Sequence, residues 1–197
     1  MAHPGGNVTG ITPYIAGLPA KQLEIAREVV PAATVIGVLG NMGDPKAPPQ
    51  LHELETAAAL LEAKIVAVDM HGEEELPTAV EHLAEQAVQV IIVLQTTMLL
   101  SLRKQLAAVL ETKQIPAVYG YQQHVIDGGL ISYGVDLRWC FHRAATYVHK
   151  IIHGTLPGDL PVEFPTKIQM VINLRAAKAL GLTVPQSLLQ RADEVIE

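Results

Sequence analysis

This sequence predicts an α/β fold, a doubly wound parallel sheet of flavodoxin-like type with helices on both faces. Two observations carry that prediction. From residue 34 to residue 153, short β-branched apolar runs alternate with segments of helical periodicity, the rhythm of successive βα units. The runs are also apolar throughout rather than at every second position, as strands buried on both faces are. Right-handed crossovers then place helices on the two sides of the sheet. Composition agrees: 49% of the 197 residues are hydrophobic and 17% charged, enough apolar material for a packed core in one domain of ordinary size.

The elements follow in order. Residues Thr34 to Leu39 (TVIGVL) form the first predicted strand. Pro48 and Pro49 then suit the first turn of a helix, and Leu51, Leu54, Ala58 and Leu61 recur at helical spacing. Ile65 to Val68 is the second strand, and Leu76, Val80, Leu83 and Ala87 mark the next helix. Val90 to Leu94 is the third strand, followed by a helix carrying Leu99, Leu102, Leu106 and Val109. Ile115 to Tyr119 is the fourth, its Pro116 near the start where proline is tolerated. Gly128 and Gly129 precede a fifth, Leu130 to Tyr133, and a long helix runs from about Asp136 to His153. Two ends lie outside this unit. Residues 1–18 read as a connecting segment, with Val8 to Thr12 extended. After a turn-rich stretch over 154–161 come a candidate strand, Ile168 to Asn173, and two short helices over 174–180 and 186–192. The expected division is therefore 1–18 as connector, 19–135 as the α/β ligand-binding lobe, and 136–197 as a helix and tail completing another lobe.

Charge and motifs restrict function. A net charge of −6 and a pI of about 5.7 argue against nucleic acid, which needs a basic face. The mean hydropathy of +0.26 is high, yet no run approaches the roughly 18 apolar residues of a membrane span. The single Cys140 excludes an intrachain disulfide and a cysteine-cluster zinc site, and inside the long helix it reads as an apolar filler. The residues from Met1 to Asn7 lack the basic and apolar regions of a signal peptide, so a complete chain would be cytoplasmic. There is no nucleophile elbow and no phosphate loop; no enzyme activity and no cofactor are expected. His142, His149 and His153 share one stripe of the long helix, a quarter turn from the apolar Phe141, Ala145, Val148 and Ile152. His149 and His153 have the i, i+4 spacing that can hold a metal, but no third ligand is placed, and a polar flank is the plainer reading.

Ligands of open α/β sheets sit beyond the carboxyl ends of the strands, near the switch in strand order. For a 2-1-3-4-5 order, that gathers Asn41, Gln95, Thr96, Thr97, Tyr119, Tyr121, Gln122, Tyr133 and Asp136. These groups are mostly uncharged hydrogen-bonding and aromatic side chains, suited to a small polar or zwitterionic ligand and lacking the means to transform it.

A series of motifs then resembles one family. Pro4 to Gly10 (PGGNVTG), Lys21 to Ile25 (KQLEI), Pro116 to Gly120 (PAVYG) and Asp127 to Gly134 (DGGLISYG) are similar, in that order, to segments of ABC transporter substrate-binding proteins of tryptophan/tyrosine type. Ala144 to Val148, Asp159 to Glu163, Pro165 to Lys167, Val171 to Asn173, Ala176 to Leu182 and Arg191 to Ile196 continue the match. The resemblance implies a type 1 periplasmic-binding fold that captures a small solute, such as an aromatic amino acid, between two lobes and delivers it to an ABC permease. It implies a periplasmic or membrane-associated extracellular location. Members are longer and carry a full first lobe, so the resemblance also implies a chain lacking most of that lobe. The helix from Asp136 would then expose a face on which two copies can pair as a homodimer. A self-associating remnant without transport activity is the alternative. By resemblance the ligand residues are Asn41, Gln95, Thr96, Thr97, Tyr119 and Tyr121, with Thr9, Tyr133 and Asp136 beside the cleft. Many members carry a carboxylate at the Gln95-Thr96 pair; here no charge stands there, which leaves a neutral or anionic ligand open.

Overall fold

The structure, a computed structural model, describes residues 4–197, so the first three residues of the expected connector lie outside the described residues. The chain divides into two units. A sheet unit comprises Ala16–Gly134 and Gln169–Glu197, and a smaller unit comprises the residues up to Ile15 together with Val135–Ile168.

The sheet unit begins with helix α1 (Leu18–Val29), which has Pro19 in its first turn. Then come strand β1 (Val35–Gly40), α2 (Ala47–Leu60), β2 (Lys64–Asp69), α3 (Leu76–Glu85), β3 (Val90–Val93), the short α4 (Thr97–Ser101), α5 (Arg103–Thr112), β4 (Ala117–Tyr119), α6 (Gln122–Ile126) and β5 (Ile131–Val135). After the smaller unit the chain returns with β6 (Ile168–Asn173), α8 (Leu174–Ala179), α9 (Gln186–Leu189) and β7 (Glu194–Ile196). The sheet has seven strands in the order β2-β1-β3-β4-β5-β6-β7. Strand β1 pairs in parallel with both β2 and β3, and β3–β4, β4–β5 and β6–β7 are parallel as well. The expected 2-1-3-4-5 order stands, with β2 as an edge.

Neighbouring residues of one strand point to opposite faces, and the core splits accordingly. Val38, Ile92 and Val118 pack with Leu23 and Ala26 of α1 and Leu54 and Ala58 of α2. Leu39, Ile91 and Val93 pack on the other side with Leu83 of α3, Leu99 of α4 and Leu106 of α5. Both layers of helices exist because the central strands β1, β3 and β4 bury apolar residues on both faces.

Residues 169–197 belong to the sheet unit. The physical reason lies in β6: Met170, Val171 and Ile172 are buried on both faces of the sheet, and Asn173 N–H bonds the carbonyl of Leu130, just before the start of β5. β7 then pairs with β6 through Val171 to Asn173.

The smaller unit is built around α7 (Leu137–Ile152). Residues 10–12 run beside Glu163, with Thr12 N–H donating to the Glu163 carbonyl and Glu163 N–H to that of Gly10. Arg143 of α7 clamps Glu163 through two parallel bonds of 2.7 and 2.6 Å. That pairing holds the Glu163 carboxyl down to about 2, against the smaller opposing effect of its burial. Tyr147 adds a hydroxyl bond to the Pro161 carbonyl.

Candidate ligand-binding site

The carboxyl ends of β1 and β3 in the sheet unit frame an open depression of about 630 Å³. Its β1 side is a tight, self-bonded loop. Asn41 Oδ1 accepts the Gly43 N–H at 2.8 Å, and its Nδ2 lies 3.3 Å from Met98 Sδ. Asp69, at the end of β2, accepts the Met42 N–H at 2.7 Å. Asp44 takes the Lys46 N–H at 3.0 Å on one oxygen and the Thr97 N–H at 3.3 Å on the other, with Lys46 Nζ 3.5 Å away. A carboxylate therefore reaches the loop after β3 from the loop after β1. Reading Gln95 and Thr96 alone had left that loop without charge.

Of the sequence-predicted residues, Asn41 and Thr97 line this depression, together with Asp44, Lys46, His71 and Met98. Gln95, Thr96, Tyr119 and Tyr121 are instead buried behind it. Thr96 is the N-cap of α4, its hydroxyl accepting the Leu99 N–H. Gln95 and Gln50 form a buried amide pair. Gln50 Oε1 accepts the Gln95 N–H at 2.9 Å, Gln50 Nε2 donates to the Lys46 carbonyl at 2.8 Å, and Gln95 Nε2 donates to the Gly120 carbonyl at 2.8 Å. The loops after β1, β3 and β4 are thereby tied to one another from below. The packing admits no Cβ there: one on Gly120 would lie 2.0 Å from Gln95 Cγ, and one on Gly134 would lie 1.9 Å from the Gly120 carbonyl oxygen.

Tyr119 is a core residue, 1% exposed, and burial pushes its phenol well above the usual range. Its ring stacks on His124 at 4.7 Å, and the Tyr121 ring lies nearly parallel to His124 at 6.4 Å. Both nitrogens of His124 lie 3.2 Å from backbone carbonyl oxygens, Nδ1 from that of Tyr121 and Nε2 from that of Leu99. The imidazole thus joins the loops after β3 and β4. Burial, outweighing those two carbonyls, lowers it to about 4. Tyr133 is partly buried, and its carbonyl accepts from Gln22 Nε2 at 2.7 Å.

Thr9 and Asp136 belong to the smaller unit. The Thr9 hydroxyl lies 2.9 Å from the Leu160 carbonyl and 3.2 Å from that of Pro161. Asp136 caps α7 by accepting the Trp139 N–H, and Lys167 Nζ stands 3.4 Å from its carboxylate. Both have structural partners within that unit.

Sequence reasoning singled out neither Lys46, Gln50 nor His124. For Gln50 the signal was present: it falls on the helical face of Leu54 and Ala58, four and eight residues on, where a lone polar side chain needs a buried partner. Gln22 stands likewise among the apolar residues of α1. The Asn41 to Asp44 loop is a ligand segment by resemblance, but the reach of Asp44 to the Thr97 N–H, more than fifty residues away, has no sequence signal.

Comparison with known proteins now bears on this geometry. The signature of the ABC transporter substrate binding protein family matches residues 1–196, and the chain belongs to that family, whose members bind small solutes. A tyrosine-binding protein of Clostridioides difficile is 25% identical over 182 residues, covering 92% of this chain and 52% of that protein. The chain thus spans about half the length of this curated relative. A conserved domain protein from Vibrio cholerae superposes with a TM-score of 0.89 at 28% identity, over 98% of this chain and 64% of the other. A Streptococcus pneumoniae ABC domain in complex with L-Trp superposes at 0.88 with 24% identity, over 99% and 67%. The fold is that of type 1 periplasmic-binding proteins.

Proposed function

We propose that this chain captures a small zwitterionic solute, an aromatic amino acid, outside the cytoplasmic membrane and supplies it to an ABC permease. The observation that carries the reading is the mixed charge of the depression at the ends of β1 and β3. The Asp44 carboxylate, the Lys46 ammonium, the Asn41 amide and the Thr97 hydroxyl stand together there. Such a set meets an ammonium and a carboxylate on one molecule, and the Met98 thioether offers a soft apolar contact. The relatives named for tyrosine and crystallised with L-Trp support the aromatic choice. Titration calorimetry with tyrosine, tryptophan and non-aromatic amino acids tests this. Saturable binding of an aromatic amino acid is expected, weakened about tenfold, roughly 1.4 kcal/mol, by Asn41→Ala or Asp44→Asn. Binding that both substitutions leave unchanged would move the solute away from this depression.

The chain also carries the means to self-associate. Phe141 and Ile152 of α7 are each 75% exposed and Val148 55%, on one stripe at seven- and four-residue spacing. Exposed apolar patches of this kind mark contact surfaces, and we propose that two copies pair there when nothing else covers the stripe.

A further inference from the structure

The flank of α7 beside that stripe carries His142, His149 and His153, and the helix holds no acidic residue. At about 100° per residue, the histidines lie a quarter turn from the apolar stripe. They lie nearly opposite Cys140 and Tyr147, the buried residues of the helix. All three histidines are exposed. The His149 and His153 rings approach to 4.1 Å between centroids, tilted by 40°. His153 Nδ1 lies 2.8 Å from the His149 carbonyl oxygen. A carbonyl only accepts, so Nδ1 carries the proton and the lone pair of His153 is left on Nε2. Metal-bound histidines are oriented in this way, one ring nitrogen donating to a backbone carbonyl while the other binds the ion. We propose that His149 and His153 form a two-imidazole chelate for one divalent first-row cation of borderline softness, of the Zn²⁺ class, with water completing its coordination. Imidazole nitrogens suit Zn²⁺, Cu²⁺ and Ni²⁺ and not Mg²⁺ or Ca²⁺. His142 stands seven residues from His149, about 10 Å along the axis, and does not join.

Zn²⁺ titration of the untagged chain by calorimetry, with imidazole ¹⁵N chemical shifts read alongside, tests the chelate. One saturable site is expected, with shifts at His149 and His153. His149→Ala and His153→Ala should each raise the dissociation constant at least tenfold, while His142→Ala leaves it unchanged. Alanine at exposed helical positions preserves the helix, and circular dichroism of each variant checks that it does. Wild-type Zn²⁺ affinity in the His149→Ala/His153→Ala double variant would overturn the proposal. So would a loss confined to one of the two single variants, or the absence of a saturable site in the wild-type chain.

Discussion

Tyr119 and His124 show how residues at the ends of strands divide between holding a ligand and holding the loops that meet it. Both are nearly sealed from solvent, and their stacked rings fill the space beneath the loops after β3 and β4. Tyr119→Ala is therefore expected to cost about 3–5 kcal/mol of stability through the cavity it leaves, measurable as a lower denaturation midpoint. Its effect on affinity would follow from loosened loops. His124 sets a pH dependence. Its imidazole is held at about 4 in the folded chain, against an ordinary value near 6.5. Above pH 6.5 it is neutral in both states and stability is whole. As pH falls from 6.5 towards 4, the unfolded chain takes up the proton first, and about 3 kcal/mol is lost at most. Urea unfolding at a series of pH values should show this slope in the wild type, and His124→Gln should flatten it. Little of this was legible in the sequence. A tyrosine at a strand end looks the same whether its ring turns to the ligand or to the core, and only the packing of Gly129 and His124 around Tyr119 decides.

At the scale of elements, the sequence was far more informative. Runs of β-branched residues and helical spacing locate β1 to β5 and the helices between β1 and β4, because a buried parallel strand is apolar regardless of which partner covers it. The predicted helix over 99–109 is broken at Leu102 into α4 and α5, a kink with no glycine or proline to announce it. The short α6 and β7 were not foreseen, since five and three residues carry too little periodicity. The turns that close α2, α3 and α5 share one device. Glu62, Ala87 and Gln114 adopt φ of 53°, 54° and 56°, the left-handed conformation usually left to glycine after a helix. A Cβ there costs about 1 kcal/mol, so Ala87→Gly should raise stability by roughly 0.5–1 kcal/mol despite the greater freedom of the unfolded glycine. An unchanged or lowered melting temperature would show that the alanine methyl packs usefully.

For the whole molecule, the chain passes between its two units three times, at 15/16, 134/135 and 168/169. The sheet unit has an extensive core on both faces, whereas α7 in the smaller unit exposes most of its length, with Cys140 and Tyr147 its buried residues. The two units should differ in protection: amides of β1, β3 and β4 should exchange with solvent far more slowly than those of α7. Equilibrium sedimentation should find association that weakens in a Phe141→Ser/Ile152→Ser variant, since about 25 cal/mol is forfeited for each Å² of apolar surface no longer covered. Association unaffected by both changes would place the contact elsewhere.

The return of β6 and β7 to the sheet has a consequence for how the protein is made. A ribosome completes β5 and must then synthesise all of Val135–Ile168 before the strand that covers β5 can emerge. At roughly 5–20 residues per second, the nascent chain spends seconds with an apolar sheet edge bare, the kind of edge that recruits foreign strands. Translation speed through that stretch, and any chaperone able to shield β5 during it, should govern yield more than the stability of the finished sheet does.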